Sequence, residues 1–377
     1  MARIYIDAWC VKSETSGMGR YGRGLVPALV SAAPQHEFVV LRPASQRGRA
    51  SLVPLGATSA QEVFVHRPRA DWATLFTRPM IEPAFRRFGR ADLYHSLFHL
   101  LPLGLTRGRM APRRIAVSLH DLIWIDRDAG AEPRRLEAEW LKRFGRVAIP
   151  QALRTADHVI CGSDATSDRA ARWVPADRRT TVHYGLEESW FRPIEATGTS
   201  PQYVAAFSVA KAYKNVGCLI RAMTLVRAQR SDVGLVLIGG DATVSADVRA
   251  SGLADQVIIR EHVGDDETRR VIGNARVFVV PSLVEGFGLP ALEAMALGTP
   301  LVASNIAALR EVSGGAALLF DPTDPRALAS AILRALDDEV LRQDLSVKGR
   351  ARAAQFTWSR AAAQTLSVYE RVLKSCG

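Results

Sequence analysis

The sequence of 377 residues has only four cysteines, and Cys10, Cys161, Cys218 and Cys376 lie far apart. Their spacing matches neither a disulfide framework, nor a redox motif, nor a metal site. No apolar run reaches the length of about 20 residues that a membrane-spanning helix needs. The opening residues Met1–Asp7 are too short and too charged for a secretory leader. These absences predict buried or idle thiols in a reducing cytoplasm.

Positive charge is abundant and unevenly distributed. The 49 Lys and Arg residues against 38 Asp and Glu residues give a net charge of +11. The segment Arg67–Arg114 alone holds ten arginines and three acids, with Trp72, Phe76, Phe85 and Phe88 interleaved. Such a mixture is typical of a surface for anionic lipid or nucleic acid, and also of a solvated face. Because no nucleic-acid motif accompanies it, we predict no nucleic-acid partner. A membrane surface and a solvated face stay open.

Short apolar runs alternate with longer helical patterns along the whole chain. This alternation predicts βα units with mostly parallel strands. The stretch Pro193–Pro201, rich in proline, glycine and threonine, is typical of a linker. We therefore predict an α/β fold of two doubly wound, Rossmann-like domains facing a cleft, over residues 1–195 and 196–357. In such sheets ligands bind beyond the carboxyl ends of the strands.

The individual elements follow from the same patterns. The predicted strands are Arg3–Asp7, Glu37–Leu41, Glu62–His66, Leu93–Ser96, Ile115–Leu119 and His158–Cys161, then Tyr203–Phe207, Gly234–Ile238, Val257–Ile259, Val277–Val280, Leu301–Ala303 and Ala317–Phe320. The predicted helices are Gly19–Ala32, Pro133–Thr155, Asp164–Trp173, Asn215–Gln229, Asp266–Asn274, Pro290–Leu297, Ile306–Ser313, Pro325–Leu336 and Thr357–Leu373.

The stretch Pro281–Pro300 carries the strongest functional signal. A buried strand is followed by a turn with two glycines and then by a helix. Bare backbone N–H groups and the positive end of a helix bind phosphate. Glu285 lies in the turn, and Glu293 lies roughly one turn into the helix. An anion site flanked by two carboxylates suits a sugar nucleotide, whose diphosphate needs donors and whose hydroxyls need acceptors.

A pair of glycosidase carboxylates is the competing interpretation of the two acids. The phosphate-type turn argues against it, and so does Lys214, which follows the strand Tyr203–Phe207. A lysine at that point can neutralise a leaving diphosphate. Lys211 is a second candidate for the same charge.

Gly17-Met-Gly19-Arg-Tyr-Gly22 matches the Gly-x-Gly-x-x-Gly pattern of dinucleotide-binding proteins. The match is poorly placed, because it lies too far after the first strand and because Arg42 stands where an acid should end the second strand. An NADP-type oxidoreductase is therefore disfavoured. We interpret the stretch as a glycine loop and helix N-terminus near donor phosphates or the acceptor.

Histidines end two of the predicted strands. His120 and Asp121 follow Ile115–Leu119, and His95 lies in Leu93–Ser96. The carboxyl edge of a parallel sheet is a place for site residues. A histidine there is also often a hydrogen-bonded structural group, and both interpretations stay open at this point.

The spacing of Glu285 and Glu293 around Gly-Phe-Gly-Leu-Pro resembles the nucleotide-sugar motif of family 4 retaining glycosyltransferases, which have the GT-B fold. Lys214-Asn215 resembles the Arg-Lys-Asn motif of that family. Gly17–Tyr21 resembles the Gly-Ile-Gly-Arg-Tyr loop of one subgroup. Two positions depart from the family pattern: Tyr213 stands where arginine is usual, and Glu261 stands where glycine is usual near the nucleobase.

The resemblance implies roles for the candidate residues. His120, Lys214 and Glu285 are the implied catalytic set, in which His120 contacts the donor sugar, Lys214 neutralises the diphosphate and Glu285 binds sugar hydroxyls. Glu293 is implied to accept hydrogen bonds from the ribose. The further donor-binding candidates are Gly17, Gly19, Lys211, Gly286, Phe287, Gly288 and Leu289, and the acceptor-side candidates are His95 and Asp121.

The resemblance also implies an activity: a retaining, metal-independent hexosyltransferase without a cofactor, whose final helix (358–377) crosses back to the first domain. The subgroup looks like bacterial mannosyltransferases of surface-polysaccharide synthesis. It favours GDP-mannose as donor and a glycan or lipid-linked acceptor, in the cytoplasm or at the inner membrane face. A UDP-sugar donor, a phosphosugar-processing enzyme of the same fold and a non-catalytic sugar-nucleotide-binding module stay open. Asp126-Arg-Asp128 fits a metal motif of other glycosyltransferases and is interpreted as a surface coincidence.

Overall fold

The computed structural model describes residues 1–11, 16–66, 78–123, 125, 136–194, 202–209, 211–261 and 263–374, without the side chains of 136–142. The described residues form two compact units, one of residues 1–125, 136–185 and 357–374, the other of residues 186–356. Asp126-Arg-Asp128, the linker residues 195–201 and residues 67–77 of the basic segment lie outside the described residues.

The first unit contains a seven-stranded parallel sheet in the order β3-β2-β1-β4-β5-β6-β7. Its strands are β1 (Arg3–Asp7), β2 (Glu37–Pro43), β3 (Ala60–Val65), β4 (Leu93–Ser96), β5 (Arg114–Leu119), β6 (His158–Cys161) and β7 (Arg179–Thr181). The helices that connect them are α1 (Gly17–Ala32), α2 (Arg78–Phe88), α3 (Leu136–Thr155) and α4 (Asp164–Ala170). All four residues of β4 and all four of β6 are buried, as a sheet covered on both faces requires.

The second unit contains a six-stranded parallel sheet in the order β10-β9-β8-β11-β12-β13. Its strands are β8 (Tyr203–Phe207), β9 (Gly234–Ile238), β10 (Val257–Arg260), β11 (Val277–Val280), β12 (Leu301–Ser304) and β13 (Leu318–Phe320). Its helices are α5 (Val216–Arg227), α6 (Ala242–Ala250), α7 (Asp265–Gly273), α8 (Leu289–Leu297), α9 (Ala307–Ser313), α10 (Pro325–Asp337) and α11 (Glu339–Ala353).

The last helix, α12 (Trp358–Lys374), belongs to the first unit, where it packs along α1. The Trp358 indole lies so close to Gly24 that a Cβ there would stand 1.9 Å from the Trp358 ring. Further along α12, the Tyr369 hydroxyl lies 2.6 Å from Nδ1 of His95. The expected return of the final helix to the first half of the chain is therefore confirmed.

The chain passes from the first unit to the second after Gly185, earlier than the predicted boundary at residue 195. The reason is that Trp190 is buried in the second unit and that Ile194 packs against Gly273 of α7. The linker-like composition of Pro193–Pro201 therefore marks a point slightly past the one where the contacts change from one unit to the other.

The predicted α/β fold of two doubly wound parallel sheets is confirmed. Of the cysteines in the described residues, Cys10, Cys161 and Cys218 are all buried thiols that form no disulfide. Within the described parts of the chain, no helix combines the length and the apolar character that crossing a membrane demands.

Candidate functional site

Each sheet has one point at which the chain changes the direction of winding. In the second sheet this point lies between β8 and β11, and in the first it lies between β1 and β4. Open α/β sheets bind ligands beyond the carboxyl ends of their strands at this point. Lys214 follows β8 and Glu285 follows β11, whereas the glycine loop at Gly17 follows β1 and His95 lies in β4. The predicted residues of each unit therefore cluster at the expected edge of its sheet.

Lys214 and Glu285 form an ion pair in the second unit. Lys214 Nζ lies 2.7 Å from Glu285 Oε1, and the two side chains are 21% and 9% exposed. The Ser282 hydroxyl donates to the same oxygen at 2.7 Å. Tyr213, which stands where the family pattern has arginine, places its ring centre 5.4 Å from Lys214 Nζ. The ammonium thus lies over an aromatic face, which favours a cation.

The loop that carries Lys214 is tied to the loop that carries Glu285. Asn215 has left-handed backbone angles (φ 57°, ψ 34°) and begins α5. Its amide donates to Pro281 O at 3.0 Å and to Pro322 O at 2.8 Å. The Leu283 N–H donates to Tyr213 O at 2.7 Å. Because asparagine tolerates this backbone conformation, one residue both turns the chain and joins the ends of three strands.

The turn before α8 depends on Gly288, which has a φ of 107°. A Cβ at this position would also stand 2.7 Å from a methyl carbon of Leu309 in α9. Only glycine therefore fits there. Leu289 begins the helix, Pro290 occupies its first turn, and Gly286 and Phe287 are buried before it. The positive end of α8 lies next to Glu285 in the sequence, as an anion site needs.

The predicted donor-side residues Glu293 and Lys211, and the departure from the family pattern at Glu261, differ in exposure. Glu293 is buried in α8 at 1% exposure, so a ribose contact requires ligand atoms to reach below the surface of the unit. Lys211 is exposed. Glu261 is exposed directly after β10. The donor-binding roles of Glu293 and Lys211 stay predictions.

His120 is buried at the end of β5 in the first unit. Its Nε2 lies 2.7 Å from Leu97 O and its Nδ1 lies 2.5 Å from the Tyr184 hydroxyl. A carbonyl only accepts, so Nε2 carries the proton and Tyr184 donates to Nδ1. Burial lowers the pKa of His120 to about 4. The imidazole is therefore neutral at physiological pH and its two nitrogens contact protein groups. Next to it, Asp121 Oδ1 accepts the Ile123 N–H at 3.0 Å.

His95 is fully buried, and its ring nitrogens contact the Tyr369 hydroxyl and, at 2.9 Å, the Ser118 hydroxyl. Ser118 in turn lies 2.8 Å from the Tyr21 hydroxyl. Burial lowers the pKa of His95 to about 3. In this geometry His95 connects α12 to the sheet. Its acceptor-side role stays a prediction.

The glycine loop begins α1 at Gly17, two residues before the predicted start. Ser16 caps the helix by accepting the Gly19 N–H at 3.0 Å. Gly22 is needed for packing, since a Cβ there would stand 2.1 Å from Val11. The loop thus presents a capped helix N-terminus at the winding point of the first sheet, and its contact with a donor stays a prediction.

Two residues that the sequence did not single out for a role support the Lys214–Glu285 pair, namely Ser282 and Asn215. Ser282 comes three residues before Glu285 in a turn, a spacing at which a hydroxyl can reach a carboxylate. For Asn215 the signal was its place directly after Lys214, at the start of a predicted helix.

Two doubly wound parallel sheets, each with candidate ligand residues at its winding point, define an α/β protein of the GT-B fold, and solved structures support this class. Sucrose-phosphate synthase from Thermosynechococcus elongatus superposes with a TM-score of 0.78 at 21% identity, over all of both chains. WaaG, a glycosyltransferase involved in lipopolysaccharide biosynthesis, gives 0.72 at 13% identity, over 97% of this chain and 99% of its own. Anabaena HepE, solved with UDP and glucose, gives 0.73 at 18% identity, over 98% and 100%.

Family models match both units. "Glycosyl transferase 4-like domain" matches residues 16–185, and "Glycosyl transferases group 1" matches residues 201–338. The chain belongs to the family of glycosyltransferases that these two models describe.

Curated relatives are similar over part of the chain. The O-antigen chain mannosyltransferase B of Escherichia coli is 30% identical over 60% of this chain and 64% of its own length. The MMP alpha-(1->4)-mannosyltransferase of Mycolicibacterium hassiacum is 34% identical over 62% of this chain and 57% of its own length. Each match spans less than two thirds of the relative.

Proposed function

We propose that the protein transfers a sugar from a nucleoside diphosphate sugar to an acceptor hydroxyl, with retention at the anomeric carbon. The observation that carries this proposal is the Lys214–Glu285 pair, 2.7 Å apart at the winding point of the second sheet and followed by the N-terminus of α8. A cation and a helix N-terminus suit a diphosphate, and a carboxylate suits sugar hydroxyls.

In the proposed reaction Lys214 neutralises charge that develops on the leaving diphosphate, while Glu285 holds the sugar. The acceptor hydroxyl attacks the face that the diphosphate leaves: the new C–O bond forms as the bond to the diphosphate breaks, and the hydroxyl proton passes to the departing diphosphate. Neither Glu285 nor Glu293 therefore acts as a nucleophile. Lys214 and α8 supply the positive charge that a metal would otherwise supply, so we propose no metal and no cofactor. Both ring nitrogens of His120 bond to protein groups, so His120 is proposed to contact the donor sugar through its backbone or the carbon edge of its ring, and not to transfer a proton.

For the donor and acceptor we propose GDP-mannose and a glycan or lipid-linked acceptor in surface-polysaccharide synthesis. The support is the names of the relatives, which include a GDP-mannose:cellobiosyl-diphosphopolyprenol alpha-mannosyltransferase of Komagataeibacter xylinus, 28% identical over 64% of this chain and 62% of its own. A UDP-sugar is the alternative donor, and the departure at Glu261 leaves it open.

A donor panel tests the proposal. The protein is incubated with GDP-mannose, UDP-glucose and related donors, with and without lipid-linked acceptor, and nucleoside diphosphate release is measured. Release that depends on the acceptor supports the transferase. Turnover without a second sugar acceptor would instead indicate a phosphosugar-processing enzyme, and binding without turnover would indicate a binding module.

We further propose a cytoplasmic protein that binds the inner membrane face through the basic segment Arg67–Arg114. The support is that Arg86 and Arg87 are exposed on α2, with the Arg86 side chain at 78%. Anionic lipid attracts such charges. Co-sedimentation with anionic vesicles should fall with added salt and after reversal of both charges to glutamate. Reversal at Arg326, which is exposed on α10, is the matched control. Sedimentation that is unchanged by added salt and by the charge reversal at Arg86 and Arg87 would contradict the membrane proposal.

A further inference from the structure

Ser282 contacts the candidate carboxylate from a fixed position. We propose that Ser282 is a positioning residue: its hydroxyl holds Glu285 in place while Lys214 engages the donor diphosphate. This inference rests on the proposed function of the same site.

Two side chains donate hydrogen bonds to the same oxygen of Glu285. Lys214 Nζ and Ser282 Oγ each lie 2.7 Å from Glu285 Oε1. Among the described residues, the other oxygen of Glu285, Oε2, accepts no hydrogen bond. Oε1 thus accepts its hydrogen bonds from the protein, and Oε2 is the oxygen that can accept a hydrogen bond from a sugar hydroxyl.

A diphosphate attracts one of these two donors and not the other. A lysine ammonium is a point charge on a flexible stem with three donors. A diphosphate carries more negative charge than one carboxylate, so it draws the Lys214 ammonium toward itself. The Ser282 hydroxyl is neutral and is not drawn away.

Ser282 cannot move far. It is 1% exposed, and it comes two residues after the end of β11. On one side of it Pro281 O accepts from the Asn215 amide, and on the other the Leu283 N–H donates to Tyr213 O. The hydroxyl is therefore a donor whose place the loop fixes.

Loss of the Ser282 hydroxyl should weaken diphosphate binding. Without the hydroxyl, Lys214 becomes the one remaining protein donor to Glu285 among the described residues. A diphosphate then has to compete with a buried carboxylate for that ammonium, and leaving such a carboxylate without a donor is unfavourable. Ser282→Ala should therefore weaken diphosphate binding through Glu285, although Ser282 itself contacts no phosphate.

A double-mutant cycle tests this coupling. Affinity for GDP and UDP is measured by calorimetry for the intact protein, Ser282→Ala, Glu285→Ala and the double variant. We expect Ser282→Ala to weaken binding by about threefold to tenfold. In the Glu285→Ala background the same change should alter affinity less than about twofold. A merely structural serine would give equal losses in both backgrounds.

Ser304→Ala is the matched control. Ser304 is fully buried at the end of the neighbouring strand β12, and its Oγ has no hydrogen-bond partner among the described residues. It should leave affinity and sugar transfer unchanged, whereas Ser282→Ala lowers kcat as well. If Ser282→Ala fails to fold by circular dichroism, Ser282→Cys keeps the volume with a weaker donor and takes its place in the cycle.

The outcomes separate the inference from the proposed function. If the intact protein binds a nucleoside diphosphate and the cycle is additive, or Ser282→Ala has no effect, the role of Ser282 is overturned and the proposed function stands. If the intact protein binds no nucleoside diphosphate, the proposed function fails, and the role of Ser282 fails with it.

Discussion

Replacing Lys214 with methionine removes one charge and keeps most of the side-chain volume. In the structure this deletes the 2.7 Å contact with Glu285 Oε1 and the cation over the Tyr213 ring. Asn215 still ties the loop to Pro281 and Pro322. The backbone of the site should therefore persist, and the change should act on charge.

Two magnitudes follow. Loss of one preorganised donor to developing charge costs about 10²–10³ in kcat, so transfer should fall by at least about a hundredfold. Stability should fall less. The Lys214 side chain is 21% exposed and Ser282 still donates to Glu285, so we expect about 1 kcal/mol, below the cost of breaking a fully buried pair.

The assay is nucleoside diphosphate release at saturating donor, with urea unfolding alongside. Lys348→Met is the matched control, because Lys348 Nζ also lies 2.7 Å from a carboxylate, Asp344 Oδ2, but on the exposed face of α11. It should retain full activity. Lys214→Met with activity within about threefold of the unmodified protein would refute the assignment of the leaving-group charge.

The remaining predictions concern the packing of one helix in each unit and the acid stability of the first unit. Gly24→Ala should destabilise the protein by about 1–3 kcal/mol, because its Cβ meets the Trp358 ring. Gly217→Ala, on α5 with its nearest neighbour at 3.5 Å, should be neutral or stabilising by about 0.5 kcal/mol; equal urea midpoints for both would contradict this. Acid should also destabilise the unit. Burial lowers the pKa of His95, and that of the buried His99 shortly after β4, to about 3, and it lowers the pKa of His120 to about 4, from 6.5. Below pH 6.5 the unfolded chain binds protons at these histidines that the folded chain does not bind. The free energy of unfolding therefore keeps its full value above pH 6.5 and falls as the pH drops toward 4. At pH 5 each histidine should cost about 2 kcal/mol, and a free energy of unfolding that is unchanged between pH 7.5 and 5 would contradict the buried neutral assignment.

The strands were predictable because a buried parallel strand is a short, continuous apolar run. Arg3–Asp7, Leu93–Ser96 and Val277–Val280 match the structure residue for residue. The short edge strand Arg179–Thr181 was missed, since it is half-buried and polar. An edge strand with one neighbour has little apolar pattern to reveal it.

Of the missed helices, α2 has a physical reason of the same kind. Helix α2 contains Pro79 and Pro83 among arginines, and only Ile81, Ala84 and Phe85 form its buried face. Tertiary contacts set the position of α2. Among them, the ring centres of Phe85 and Tyr5 lie 4.7 Å apart. A pattern this narrow is hidden by the basic residues around it.

The position of the candidate site was predictable where side-chain chemistry and a strand end coincide, as at Lys214 and Glu285, whose roles stay predictions. The strand order that brings these two residues together was not, because nothing local shows that β8 and β11 are neighbours. For the same reason the partners of His95 stayed hidden: Tyr369 is 274 positions away in the sequence.

Hydrogen–deuterium exchange with and without GDP-mannose, repeated with UDP-glucose, tests whether the loops after β8 and β11 bind a sugar nucleotide. At least one donor should slow exchange in the peptides spanning residues 203–215 and 281–297, which hold Lys214, Glu285 and the start of α8. Unchanged exchange in both peptides with every donor tested, or protection that appears only elsewhere in the chain, would contradict such binding.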